Sequence, residues 1–214
     1  KDVAAEFING RPNDNIGITL FAGETFTQCP LTVDHAVLLD MIHNIKCGLI
    51  EDGTAVGMGI ANAVTRLKDS KAKSKVIILL TDGTNNKGDI SPLTAAEIAK
   101  SFGIRVYTIG VGTNGMAPYP YPVGNTVQYV NMPVEIDEKT LTQIAGTTDG
   151  NYFRATSNSK LKEVYEEIDK LEKTKLNVKE YSKRDEEYQW FALAAFLCVL
   201  LEVLLRNSIL KKIP

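Results

Sequence analysis

The stretch that decides the fold is VIILLTDG, residues 76–83, in which an unbroken apolar run ends abruptly at a polar turn. A continuous run of this kind is typical of a strand that is buried on both faces, as the strands of parallel sheets are. Similar runs predict strands at 104–109 (IRVYTI) and 151–155, with helices at 91–102 and 137–145. This alternation predicts an α/β fold with a doubly wound, mostly parallel sheet.

Upstream of this stretch, the sequence predicts an antiparallel hairpin followed by two helices. Residues 16–21 (IGITLF) are rich in strand-forming side chains. After a turn at 22–24, polar and apolar residues alternate in the segment 25–29, which predicts a second strand antiparallel to the first. Apolar residues at helical spacing then predict helices at 33–45 and 53–67.

Downstream, one helix and one irregular segment complete the folded region. Residues 157–173 have an apolar stripe that predicts a long amphipathic helix. Residues 111–134 are rich in Gly, Pro and Tyr (GTNGMAPYPYPVGN) and predict a long irregular connection, a kind of loop that is usually functional or mobile.

Composition and motifs exclude several classes of function. The 214 residues carry 24 Lys and Arg against 26 Asp and Glu, and this net charge of −2 gives no electrostatic basis for binding nucleic acid. Neither a P-loop nor a nucleophile elbow is present in the sequence. The Asp82-Gly83-Thr84 triplet resembles a motif of phosphate-transferring aspartate enzymes, but Leu80 stands where that motif needs its first Asp. We therefore expect no enzyme.

Two other residue patterns are better explained by structure than by chemistry. Gly57-Met58-Gly59 lies inside a helical pattern rather than after a strand, so its glycines are interpreted as sites of close helix packing. His35 and His43 are not in a metal-binding spacing and are expected at the surface or at a helix cap.

The C-terminal region differs in character from the rest of the chain. Residues 190–205 read WFALAAFLCVLLEVLL, with Glu202 as their only charge. As a helix they would be about 24 Å long, and continuing to Leu210 gives about 31 Å, enough to cross a bilayer. A buried core helix is the alternative, but this run is apolar all round rather than striped. We expect a domain at 1–173, a linker at 174–189, a transmembrane helix at 190–210 and a tail to residue 214.

Charges beside the apolar run predict its orientation. Arg206, Lys211 and Lys212 follow it with no acidic residue among them, whereas the basic residues before it are matched by acidic ones. The positive-inside rule then places the C-terminus in the cytoplasm and the folded domain outside. Apolar residues at 3, 4, 7 and 8 form a helical stripe, so Lys1, the first residue, is expected to lie already inside a helix. No signal peptide is present, and we expect the chain to be a fragment of a longer protein.

Two polar residues stand where ligands gather in parallel sheets, at the carboxyl ends of the strands. Asp82 directly follows the buried run, and Thr54 lies in the Asp52-Gly53-Thr54 turn that opens a helix. A carboxylate and a hydroxyl are oxygen ligands suited to Mg²⁺ or Ca²⁺. The alternative is purely structural, with Asp82 forming an Asx turn and Thr54 capping the helix; the residues alone leave both open.

Several segments in a fixed order resemble one known family. FAGETFTQCPLT, DGTAVGMGIANAV, KVIILLTDGTNNKG and IRVYTIGVGT resemble a von Willebrand factor type A domain. The later segments VEIDEKTLTQIAGTTDGNYFRA and LKEVYEEIDKL, followed by the apolar run, are similar to the bacterial aerotolerance (Bat) family and to its BatA branch. The resemblance covers residues 1–205.

This resemblance implies a metal-ion-dependent adhesion site at the top of the sheet. In the family, a threonine and an aspartate from two loops map onto Thr54 and Asp82, while Asp52, Gly53 and Gly83 shape those loops. The family's first ligand loop, D-x-S-x-S, has no match in this sequence and would lie before Lys1, together with the first central strand. We therefore expect Mg²⁺ (or Mn²⁺ or Ca²⁺) in the full-length protein and an incomplete site, with weak binding, in this fragment.

The same resemblance implies a function in binding. A partner protein would complete the cation's shell with a carboxylate, and other Bat proteins and a MoxR-type AAA+ ATPase are the implied neighbours. The location implied is the bacterial inner membrane, with the domain in the periplasm. The alternative is a metal-independent membrane-tethered scaffold whose contacts come from residues 116–134.

The cysteines leave one further question open. Cys29 and Cys47 flank the helix predicted at 33–45. In an oxidising compartment they could form a disulfide, and otherwise they are two small buried side chains.

Overall fold

The computed structural model describes residues 1–46, 48, 50–112, 115–123, 126–134, 136–181, 193, 195–199, 201–203 and 205. The chain divides into two compact units, Lys1–Glu172 and Lys173–Pro214. The helices and strands follow in the order α1 (Asp2–Asn9), β1 (Ile16–Phe21), β2 (Thr25–Thr32), α2 (His35–His43), α3 (Val56–Leu67), β3 (Lys75–Thr81), α4 (Pro92–Ser101), β4 (Ile104–Val111), β5 (Gly115–Val123), β6 (Thr126–Val134), α5 (Glu138–Thr147), β7 (Tyr152–Ala155) and α6 (Asn158–Tyr181).

The predicted parallel sheet is confirmed. Its strand order is β3–β4–β7, and the register runs from Lys75 opposite Ile104 to Thr81 opposite Gly110. Because the strands are parallel, the loops that follow β3, β4 and β7 all leave from the same edge of the sheet.

Helices cover both faces of this sheet, which explains its continuous apolar strands. On one face, Ile77 and Leu79 of β3 pack in a cluster with residues of α3, α4 and α5. On the other face, Tyr107 and Ile109 of β4 pack against α6. Alternate residues of one strand therefore belong to different cores, which is the period-2 pattern of an extended strand.

The two glycines of α3 confirm the predicted close packing. A β-carbon on Gly57 would stand 2.0 Å from the carbonyl oxygen of Ile90, and one on Gly59 would stand 2.9 Å from Cδ1 of Phe21. Both glycines therefore let α3 approach its neighbours more closely than any side chain would allow.

The predicted hairpin near residues 16–29 is also confirmed, as the antiparallel pair β1–β2. It packs with α1 and α2 around a core of its own, which contains Ile8, Cys29, Leu38 and Ile42. Within the described ranges β1 and β3 share no ladder, and both strands contact α3. The expected strand between them stays a prediction.

Residues 115–123 and 126–134 correct one expectation, because they form a β-hairpin, the antiparallel pair β5–β6, rather than an irregular connection. Prolines usually argue against a strand, since they lack the N–H that a ladder needs. Here Pro118, Pro120 and Pro122 occupy alternate positions of β5, and Pro133 lies opposite Met116 at a position of the same parity. Every proline therefore falls on a pair that exchanges no hydrogen bonds, and the intervening pairs hold the hairpin together.

The predicted linker and membrane segment lie mostly outside the described residues. Helix α6 extends to Tyr181, past residue 173 where the helix was expected to end. Residues 193, 195–199, 201–203 and 205 are helical and exposed. Among the residues that the structure describes, no helix combines the length and apolar character needed to cross a bilayer. The transmembrane helix at 190–210 stays a prediction.

Candidate metal-binding site

Three loops meet at the carboxyl end of β3. The first is the turn at 22–24 between β1 and β2, the second is the segment 51–55 before α3, and the third is the segment 82–88 after β3. The Gly23 N–H donates to the carbonyl of Glu51 at 2.8 Å, and the Ala55 N–H donates to the carbonyl of Ala22 at 2.7 Å. These two hydrogen bonds fix the segment before α3 against the end of β1.

Hydrogen bonds on both sides of its backbone position Thr54. Its N–H donates to Oδ1 of Asn86 at 2.8 Å, and its carbonyl accepts from the N–H groups of Asn86 at 3.0 Å and Lys87 at 3.3 Å. The two segments 51–55 and 82–88 are therefore joined directly. A β-carbon on Gly83 would lie 3.3 Å from Oγ1 of Thr54, which places this hydroxyl beside the Asp82-Gly83 turn.

Two glycines make this close approach possible. Gly53 has φ of +142°, a conformation that side chains rarely adopt, and a β-carbon there would stand 2.6 Å from Cγ of Lys87. A β-carbon on Gly23 would stand 2.8 Å from the carbonyl oxygen of Glu51. Gly53 therefore shapes the backbone that carries Thr54, and its part in a metal site stays a prediction.

The turn after β3 is shaped by Thr81 rather than by Asp82. The buried Thr81 hydroxyl accepts from the Gly83 N–H at 3.3 Å and lies 3.3 Å from the Gly83 carbonyl. The Asp82 side chain is exposed and makes no hydrogen bond or ion pair with the described residues. The Asx-turn alternative therefore has no support in the described residues.

Thr54 is likewise not a helix cap. The N-cap position of α3 is Ala55, and no side chain makes a cap hydrogen bond there. The half-buried Thr54 hydroxyl, like the Asp82 carboxylate, is available to a ligand within the part of the chain that the structure describes.

This oxygen pair fits part of the shell of a hard cation. Mg²⁺ takes about six oxygen ligands, often including several waters. Thr54 and Asp82 would supply two of them, and the neighbouring Asp52 is an exposed acid on the same edge. In the described ranges, no cluster of three or more His, Cys, Asp and Glu side chains is arranged to hold a metal. The described residues therefore fit two positions of such a shell and do not complete it.

Comparison with known proteins identifies the fold. A model of the von Willebrand factor type A domain matches residues 1–167. The chain belongs to this family. Among solved structures, BatB from Bacteroides thetaiotaomicron is 32% identical, with 80% of this chain and 86% of that chain covered and a TM-score of 0.69. An aerotolerance-related membrane protein from Bacteroides fragilis is 28% identical over 79% and 84% of the two chains, with a TM-score of 0.68.

These comparisons confirm the expected likeness to Bat proteins, while the BatA branch stays a prediction. A protein from Borreliella burgdorferi is 26% identical over the whole of this chain and 63% of its own length. The chain spans about half the length of the next curated relatives it matches, 47% and 53% in two of them.

The described Cys and His residues of this von Willebrand A domain belong to β2 and α2 rather than to the loops of the site. Cys29 is 2% exposed, and burial raises the pKa of its thiol, with a smaller contribution from Asp34. Cys47 lies outside the described residues, so the disulfide stays a prediction. The Nε2–H of His35 donates a hydrogen bond to the carbonyl of Asp14 at 3.0 Å, and His43 is the last residue of α2.

Sequence reasoning missed a buried polar cluster at the opposite, amino end of the parallel strands. Glu172 of α6 is 5% exposed and accepts hydrogen bonds from the Tyr107 hydroxyl at 2.7 Å, from Ser74 Oγ at 2.8 Å and from Arg105. Burial acts to raise the pKa of Glu172, but these three donors outweigh it and lower the pKa. Burial and the Glu172 carboxylate raise the pKa of Tyr107. This cluster fastens α6 to the sheet.

Proposed function

We propose that this domain is a membrane-anchored protein-interaction module that binds a partner protein through a divalent cation. The observation that carries the proposal is the position of the Thr54 hydroxyl, 3.3 Å from where a β-carbon of Gly83 would be and thus beside Asp82. The loops that carry Thr54 and Asp82 are distant in sequence and meet at the edge of the sheet where α/β folds bind ligands, which supports these two residues as ligands of one cation.

Thr54 and Asp82 would hold the cation, which supplies a positive charge that a partner's carboxylate can bind. Membership of the von Willebrand A family supports Mg²⁺, Mn²⁺ or Ca²⁺, because hydroxyl and carboxylate oxygens suit hard cations. Asp52, Gly53 and Gly83 would keep the two loops in place. The interaction would be binding rather than catalysis, because von Willebrand A domains in Bat-like proteins are generally interaction modules.

Membrane anchoring rests on the apolar C-terminal residues and on the Bat relatives. The large apolar side chains that the structure describes between residues 193 and 205 are 40% to 63% exposed, including Phe196 at 63% and Leu201 at 60%. A helix that exposes so many large apolar groups is unfavourable in water and suits a bilayer. The Bacteroides fragilis relative is itself described as a membrane protein. A transmembrane helix at 190–210 would place the domain in the periplasm and the C-terminus in the cytoplasm.

The partners proposed are envelope proteins. Similarity to BatB and to an aerotolerance-related protein supports other Bat proteins as neighbours, and a MoxR-type AAA+ ATPase follows by analogy with the family. Each would have to present a carboxylate to the cation.

The metal proposal is tested by Thr54→Ala and Asp82→Ala in the full-length protein. Each variant removes one oxygen ligand, so we expect Mg²⁺ affinity measured by titration calorimetry to fall about tenfold or more while the fold is retained. Asp89→Ala is the matched control, because it removes an exposed acid near the end of the same loop. Unchanged affinity in both variants would contradict the proposal, as would an equal loss in the control.

A metal-independent scaffold is the second candidate, favoured by the exposed hairpin β5–β6. Tyr129 is 72% exposed and Val130 is 47% exposed, which is unusual for large side chains in a folded domain. The two functions separate in a capture experiment with the Bat proteins. If the Thr54→Ala and Asp82→Ala variants still capture the Bat proteins, and the parent does so in the presence of EDTA, the scaffold function is supported and the cation is not needed for binding.

A further inference from the structure

The two outer edges of the hairpin β5–β6 differ in their backbone chemistry. In an antiparallel pair, residues that exchange no hydrogen bonds with each other direct their N–H and C=O groups outward. On β5 these outward positions are Met116, Pro118, Pro120 and Pro122. Three of the four have no N–H, so this edge cannot pair with a further strand.

The outer edge of β6 keeps its donors. The outward positions before Pro133 are Val127, Tyr129 and Asn131, and each of them has an N–H. The structure describes Tyr129 as 72% exposed and Asn131 as exposed. Proteins normally protect such an edge with charges, prolines or covering segments. Residues 112–134 contain no charged residue, and the proline on this edge, Pro133, lies at its far end, so the positions from Val127 to Asn131 have no such protection within the sequence of β6.

We propose that the outer edge of β6 pairs with the same edge of a second copy of this chain, forming a four-stranded sheet in the order β5–β6–β6–β5. A strand pairs with its own copy across a twofold axis only in the antiparallel sense. With the axis at Tyr129, Val127 lies opposite Asn131 of the other copy, and all three outward N–H groups of each chain are used. This interaction does not depend on the metal site.

Two properties of the hairpin favour a second copy over a different partner. Identical residues meet at a twofold axis, so any charge there would face its own copy, and this segment has none. The assembly also stops at two chains, because both free edges of the four-stranded sheet are the proline-containing β5 strands. An edge that accepted strands without this closure would be an aggregation hazard.

The size of the contact predicts a weak dimer. A single ladder of this length buries less than the roughly 800 Å² per partner that stable complexes bury. We therefore expect association that depends on protein concentration, and a covalent trap is the sensitive measurement.

The first test is oxidative crosslinking of Tyr129→Cys in full-length protein that also carries Cys198→Ser. At the axis the two Cα atoms of a hydrogen-bonded antiparallel pair are about 5.5 Å apart, within the range of a disulfide. Met116→Cys is the matched control, since Met116 is 65% exposed and also occupies an outward position, but on the proline edge. We expect a crosslinked dimer for Tyr129→Cys well above the levels of Met116→Cys and of the parent.

The second test removes an outward donor while the hydrogen bonds between β5 and β6 stay intact. Asn131→Pro deletes an outward N–H on each side of the axis, so the dimer dissociation constant measured by sedimentation should rise about tenfold or more. Met116→Pro is its control and should leave that constant unchanged. The proposal is overturned if Tyr129→Cys crosslinks no better than Met116→Cys, if it crosslinks to a different protein instead, or if Asn131→Pro dimerises like the parent.

Discussion

Replacing Glu172 by Gln should destabilise the α/β domain substantially. The substitution keeps the shape of the side chain but removes the charge that faces Arg105, whose side chain is only 17% exposed. Breaking a buried ion pair costs about 3–5 kcal/mol, and because Arg105 keeps some contact with water we expect about 3 kcal/mol. At about 2–4 °C per kcal/mol for a domain of this size, the midpoint of thermal unfolding should fall by about 6–12 °C.

The pH dependence of this effect follows from the direction of the pKa shift. The pKa of Glu172 is lower in the folded domain than its ordinary value of 4.5, because the donors around the carboxylate outweigh its burial. The carboxylate therefore stabilises the fold fully above pH 4.5, and this contribution is lost as the pH falls through the lower, folded-state pKa. The parent and Glu172→Gln should differ most near neutral pH and converge in acid.

Unfolding of the full-length protein in detergent, followed by far-UV circular dichroism at several pH values, measures both effects. Glu163→Gln is the control on the same helix, because Glu163 is 61% exposed in its pair with Lys160 and should contribute less than about 1 kcal/mol. Equal stability of Glu172→Gln and Glu163→Gln, or a difference that does not shrink in acid, would refute the reasoning.

Two further predictions concern packing and the cysteines. Gly57→Ala should cost at least about 2 kcal/mol in urea unfolding, because its β-carbon would overlap the backbone of Ile90, whereas Gly146→Ala in α5, with nothing within 4 Å, should be neutral or stabilising. If Cys29 and Cys47 pair, thiol titration of the denatured, unreduced protein should find one free thiol per chain, and three free thiols would contradict the pairing.

The parallel sheet could be predicted because its strands are continuous apolar runs, which are recognisable in the sequence alone. The run VIILL has no polar residue that could face water, so it predicts a strand that is buried on both faces. Ser91 and Asp137 stand where α4 and α5 were expected to begin, and the side chain of each accepts a hydrogen bond from a backbone N–H. The loops around Thr54 and Asp82 were predicted by family resemblance, whereas the hydrogen bonds from Asn86 and Lys87 that join them depend on long-range contacts that residue spacing does not encode.

The failures have equally specific causes. The pair β5–β6 was missed because a long segment rich in Gly, Pro and Tyr predicts an irregular loop, although alternate prolines fit a two-stranded ribbon in which the backbone groups of every second residue face outward. Glu172 was missed because a glutamate in a lysine-rich helix is normally solvated, and only the fold shows that Ser74, Arg105 and Tyr107 surround it.

The double tie between Thr54 and Asn86 has a mechanical consequence. The Thr54 N–H donates to the Asn86 side chain and the Thr54 carbonyl accepts from the Asn86 N–H, so a shift of one of the loops at 51–55 and 82–88 would break hydrogen bonds to the other. Helix α3 starts only two residues after Thr54 and contacts β1, β2 and β3. A force applied to Asp82 by a bound partner would therefore be transmitted through the Asn86–Thr54 hydrogen bonds to α3, and from α3 to the strands in the centre of the domain.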